Sequence, residues 1–104
     1  MNLENCNSLR YMFYNAEYMI SISFINFDSQ NITDMSYMFH LCISLTSFDF
    51  SNFNTKNQKN AGRMFADCNS LISVNTSNFN VENIETMSDM FLYCFSLRSI
   101  DLSN

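Results

Sequence analysis

The stretch "NITDMSYMFHLCISLTSFDFSNF", Asn31 to Phe53, returns as "NQKNAGRMFADCNSLISVNTSNF", Asn57 to Phe79, with its spacing intact and many of its letters changed. A third version, "NIETMSDMFLYCFSLRSIDLSN", runs from Asn83 to Asn104. The Met-Phe pairs begin at Met12, Met38, Met64 and Met90, each 26 residues after the one before. Cys42, Cys68 and Cys94 keep the same step, with Ala16 in the first copy. Met19, Leu45, Leu71 and Leu97 keep it too, as do Phe27, Phe53 and Phe79. A fixed period of this size marks a repeat architecture, in which a unit too small to bury its own apolar side does so by stacking on its neighbours. The units are 5–30, 31–56, 57–82 and 83–104, together one domain, 1–104, by size.

Within a unit two periods alternate. Ile32, Met35, Met38 with Phe39, and Cys42 recur every three or four residues, the spacing of one face of a short helix, and Thr33 or Asp34 is placed to cap its first turn. Phe48 and Phe50 then flank Asp49 with period two, which reads as a short strand with one buried face. The expectation is an α/β repeat of about four coils, each a short helix plus a short strand in a parallel sheet. Strands stacked at about 4.8 Å would turn each buried column into a ladder. The wider helices, roughly 10 Å across, would splay and make the strand side concave. Ala61 and Gly62 stand where Met35 and Ser36 stand one unit earlier, so the helix of the third unit is expected to be the weakest.

These residues resemble a known family. "LTSFDFSNF" has the L-x-x-L-x-L-x-x-F form of a leucine-rich repeat, with Phe53 at the usual Asn position. The joined Met-Phe, Cys-x-Ser-Leu and Asp-[Phe/Leu]-Ser-Asn-Phe elements are similar to the BspA-like surface-protein repeats of mycoplasmas, other bacteria and some protists. That resemblance implies a leucine-rich-repeat-like right-handed solenoid and a surface-exposed role in binding or adhesion.

Composition narrows the chemistry. Ten carboxylates against five scattered Lys and Arg give a net charge of −5, which leaves no basic track for nucleic acid. A single Gly and no Pro leave no glycine-rich loop for a nucleotide's phosphates. No uninterrupted apolar run approaches membrane-spanning length, so no membrane insertion by this segment is expected.

The Cys column does not pair residues at zinc-site spacing, so no metal site is expected. Cβ atoms stacked about 4.8 Å apart exceed the ~3.8 Å a disulfide prefers, so these residues are read as buried free thiols. Cys6 lies outside the column and is the candidate reactive thiol. His40 shares its column with Tyr14, Ala66 and Leu92, and no nucleophile repeats beside it, so no triad is expected. Asp49 and Asp101, two coils apart, would be separated by about 10 Å on a wet face with nothing to raise one pKa. The Asn columns are read as turn amides that hydrogen-bond from coil to coil.

What remains is a surface. Ser47, Asp49 and Ser51, then Ser73, Asn75 and Ser77, then Ser99, Asp101 and Ser103 alternate outward along the strands as the candidate binding face. The reading is a non-catalytic, cofactor-free module, not an enzyme, that binds a protein or glycan as a fragment of a longer surface adhesion or host-interaction protein. It would sit at the cell surface or outside the cell. The alternative is an intracellular interaction scaffold in the cytoplasm, compatible with free thiols. Neither "MNLENC" nor "SIDLSN" has the look of a polar cap, so further repeats or end-to-end self-association are expected.

Overall fold

The computed structural model describes residues 6–24, 29–51, 53–98 and 100. Four passes of chain lie over one another in a register of 26 residues. Parallel bridges join Ser8 to Asp34, Asp34 to Asn60 and Asn60 to Thr86. Strands β1 (Ser47–Asp49) and β2 (Ser73–Asn75) pair in parallel, with Ser47 opposite Ser73, Phe48 opposite Val74 and Asp49 opposite Asn75.

The expected fold class, an α/β repeat of four helix–strand coils, is overturned. Among the described residues there is no helix, and the regular structure amounts to two strands of three residues each within extents of 32 × 30 × 20 Å. The molecule is therefore not a right-handed solenoid of helix–strand coils. The apolar spacing that imitates a helix is produced by overlapping turns. In the second layer the amides of Met38, His40 and Cys42 donate three residues back, to Met35, Tyr37 and Phe39. The amides between them point along the stack: Tyr37 donates to Gly62 O at 3.0 Å, Phe39 to Met64 O at 2.8 Å and Leu41 to Ala66 O at 3.0 Å. A helix commits every interior amide to its own chain. Here half of them bind the next layer instead.

That alternation has a backbone cost. Tyr11, Asn15, Tyr37, Leu41, Arg63, Asp67, Asp89 and Tyr93 all take positive φ, between 52° and 64°. They form two columns of the 26-residue step, and no glycine relieves them. Left-handed backbone costs an L-residue about 1–2 kcal/mol, so the layer-to-layer hydrogen bonds must offset it repeatedly. Asp34, expected to cap a helix, caps a turn: its Oδ1 accepts from Ser36 N at 2.9 Å. Asn60 does the same for Gly62 N at 2.9 Å, and Ser8 Oγ for Arg10 N at 3.2 Å. The third unit, expected to be the weakest, is well buried, with Ala61, Met64, Phe65 and Cys68 all fully enclosed.

The core is a set of ladders. Phe13, Phe39, Phe65 and Phe91 stack nearly parallel with centroids 5.5, 5.3 and 5.4 Å apart. Phe48 and Phe50 meet them tilted or edge-on from the strand side, Phe53 and Phe79 pack in turn on Phe50, and all four are buried. Phe27, the first rung of the Phe53–Phe79 column, lies outside the described residues. Gln58 breaks the apolar column of Ile32 and Ile84, yet its Oε1 is satisfied by the amides of Met35 (3.1 Å) and Asn60 (3.3 Å).

The turn geometry makes a prediction whose sign separates it from a helix. At Asp89, φ 56°, Gly should be more stable than Val by about 1–2 kcal/mol, because a branched Cβ is excluded from left-handed backbone. Urea unfolding of Asp89→Gly and Asp89→Val measures the difference. A helix would give the opposite order.

Candidate functional site

The outward strand face is where the sequence places it. Ser47, Asp49, Ser51, Ser73, Asn75 and Ser77 are all exposed, while Phe48 and Val74 between them are buried. Ser99, Asp101 and Ser103 lie outside the described residues. The chain leaves each strand through a side-chain-closed turn: Asp49 Oδ1 accepts from Ser51 N at 2.8 Å and Asn75 Oδ1 from Ser77 N at 3.0 Å. One oxygen of each side chain is thus fixed. Among the described residues no hydrogen bond is made by Asp49 Oδ2 or Asn75 Nδ2. With no helix among the described residues, the wedge expected to make this face concave has no source there. A depression of about 450 Å³ lined by Ser77, Asn78, Asn80, Val81 and Glu82 opens at its lower edge.

The Asn columns bond between layers as expected. Asn57 Nδ2 donates to Gln30 O and Asn83 Nδ2 to Lys56 O, both at 2.7 Å, and Asn78 Nδ2 donates to Ser51 O at 2.5 Å. These side chains are spent on structure. Among the described residues no group of three His, Cys, Asp or Glu converges to hold a metal, and no helix is long and apolar enough to cross a membrane.

All four cysteines are free thiols. The column does more than fill space: the S–H groups of Cys42, Cys68 and Cys94 donate to the carbonyls of Phe13, Phe39 and Phe65 at 3.1, 3.0 and 3.0 Å. Burial pushes the Cys42 and Cys68 thiols up, and Cys94 up to about 11. Cys6 is half-buried, its S–H on Ser8 O at 2.9 Å.

Two arrangements were missed in the sequence. His40 Nε2 lies 3.0 Å from Asp67 Oδ2, and its Nδ1 is buried without a partner. The separation of 27 residues is one layer plus one position, so the repeat arithmetic could have found the pair. The ring sits between Tyr14 and Tyr37 at 5.5 Å from each, and among the described residues no Ser or Cys hydrogen-bonds it, so the pair lacks a nucleophile. The second is an aromatic edge: Tyr11 stacks on Tyr37 at 4.7 Å, and the Arg10 guanidinium lies 5.2 and 5.5 Å from the two rings.

A family profile described as "Mycoplasma protein of unknown function, DUF285" matches residues 1–103. No curated protein and no solved structure matches.

The thiol column gives a pH dependence. Native Cys94 holds its proton to about pH 11, whereas in the unfolded chain it loses it near its ordinary 9.0. Between those values the native state binds more protons at this thiol, so the contribution of Cys94 is complete below pH 9 and is lost as pH rises toward 11. Cys94→Ala should ease the alkaline fall of unfolding free energy by up to ~1.4 kcal/mol per pH unit in that window, measured by urea titration.

Proposed function

Because the chain belongs to the DUF285 family, a Mycoplasma family of unknown function, we propose a role from its surface: a non-catalytic repeat module that binds a protein or glycan through the outward strand face. The supporting observation is the double row of exposed polar side chains, Ser47 and Asp49 beside Ser73 and Asn75 on the paired strands, with Ser51 and Ser77 in the turns that follow, above a buried apolar core. Asp49 and Asn75 are pre-organised by their turns, so little rotamer freedom is lost when a partner docks. The hydroxyl, carboxylate and amide groups suit the hydrogen-bonding surface of a sugar or a polar polypeptide. No convergent acid, base and nucleophile supports an enzyme reading among the described residues. The resemblance of the Met-Phe and Cys-x-Ser-Leu elements to BspA-like repeats supports placing the module at the cell surface, within a longer adhesion or host-interaction protein.

A glycan array together with a cell-surface binding assay tests the reading. The chain should bind saturably, and the pair Asp49→Arg with Asn75→Arg, both at exposed positions, should weaken binding roughly tenfold or more, about 1.4 kcal/mol. Binding that survives those changes and falls instead with Tyr11→Ala would overturn the assignment to the strand face.

A further inference from the structure

We propose that a depression in the turn region, around Gly62, is a second binding site, separate from the strand face, and that it takes a carboxylate-bearing sugar ring, a uronate unit of a glycan. The depression holds about 180 Å³ and draws on all four layers, from Arg10 through Tyr37 and Arg63 to Thr86. Sites that engulf a drug-sized ligand hold about 300–1,000 Å³. This one has room for a single ring.

Its place is set by the one glycine in the chain. Gly62 shares a column with Arg10, Ser36 and Ser88, so the stack can carry a side chain there. Nor does its backbone demand a glycine: Gly62 is not left-handed, whereas the described residues that are left-handed all carry side chains. What glycine supplies is room. A Cβ at Gly62 would stand 3.3 Å from Asn60 Oδ1, 3.7 Å from Ser88 O and 3.9 Å from Thr86 Oγ1, so the missing side chain opens the polar floor of the depression.

The walls choose the ligand. Two of the chain's five Lys and Arg, Arg10 and Arg63, line the depression in a protein whose net charge is −5. Neither is locked to a carboxylate: Arg63 gives one N–H to Asp89 at 3.4 Å, and Arg10 lies 4.0 Å from Asp34. Surface pairs of this kind are weak, and the N–H fork of a guanidinium fits the two oxygens of a ligand carboxylate. The ring contact comes from Tyr37. Tyr11 of the preceding layer covers one of its faces at 4.7 Å, and Arg63, next in that column, reaches on to Asp89, so the other face of Tyr37 borders the depression. The C–H face of a pyranose packs against the electron-rich face of such a ring while its hydroxyls meet Thr86 and Asn60. Cations alone would suit any oxyanion; cations beside an aromatic face and hydroxyl partners suit a sugar acid.

Titration with methyl glucuronide, followed by nitrogen-resolved NMR, is the test, because Gly62 gives the one glycine amide resonance of the chain. That resonance should shift saturably in the millimolar range, with one site per chain. Methyl glucoside, which lacks the carboxylate, and acetate, which lacks the ring, should each bind roughly tenfold more weakly or worse. Arg63→Gln should weaken glucuronide binding roughly tenfold. Gly62→Ser should do the same in a chain that still unfolds cooperatively in urea, since Ser36 and Ser88 already occupy that column. A Gly62 resonance that does not move overturns the proposal. So does acetate or methyl glucoside binding as tightly as the glucuronide, or an affinity that either substitution leaves unchanged.

Discussion

The constraint on which everything else rests is the hydrogen bond from an amide in one layer to the carbonyl 25 residues further on. It is made by alternate residues through the turn region of successive layers, Tyr11, Phe13 and Asn15, then Tyr37, Phe39 and Leu41, then Arg63, Phe65 and Asp67. Satisfying it denies the chain an α-helix, because a helix has no free interior amides to offer. It also forces two residues per layer into left-handed backbone. The bonds that remain inside a layer are the short turns, and the turns set which side chains face inward. Met35, Met38, Phe39 and Cys42 reach the core together for that reason.

Side chains reinforce the register rather than create it. A shift of one residue would separate each Phe from the ring above it and each thiol from the Phe carbonyl one layer back. It would also move Asn57 and Asn83 away from the carbonyls they bind. Aromatic stacking, weak thiol donation and amide ladders are each modest, about 0.5–1.5 kcal/mol. All of them choose the same 26-residue step. The ion pairs matter less: Arg63–Asp89 at 3.4 Å and Arg10–Asp34 at 4.0 Å are surface contacts worth about 0–1 kcal/mol.

The period, the columns and the strand positions were legible in the sequence because they are set by repetition and by the inward–outward alternation of Phe48, Asp49 and Phe50. The helix was not there to be read. Consecutive turns with a left-handed residue every fourth position place apolar side chains at the same three- and four-residue spacing as a helix, so hydrophobic periodicity alone cannot separate them. The signal that could have done so is slight: Asn15, Asp67 and Asp89, residues that tolerate left-handed backbone, share their columns with Tyr, Leu and Arg, which do not advertise it. The outward face was legible as far as Ser77. His40 and Asp67 are 27 positions apart, one beyond the period, so the pair falls between columns and the repeat alone does not bring it out.

Tandem duplication of residues 57–82 tests the central claim most directly. Stacking in register predicts that the added unit slots in as another layer. The chain should then unfold in one transition with a higher denaturant midpoint and a steeper dependence, as more buried surface requires. A lower midpoint, or an insert that stays unfolded beside an unchanged core, would contradict layer-on-layer register as the basis of the fold.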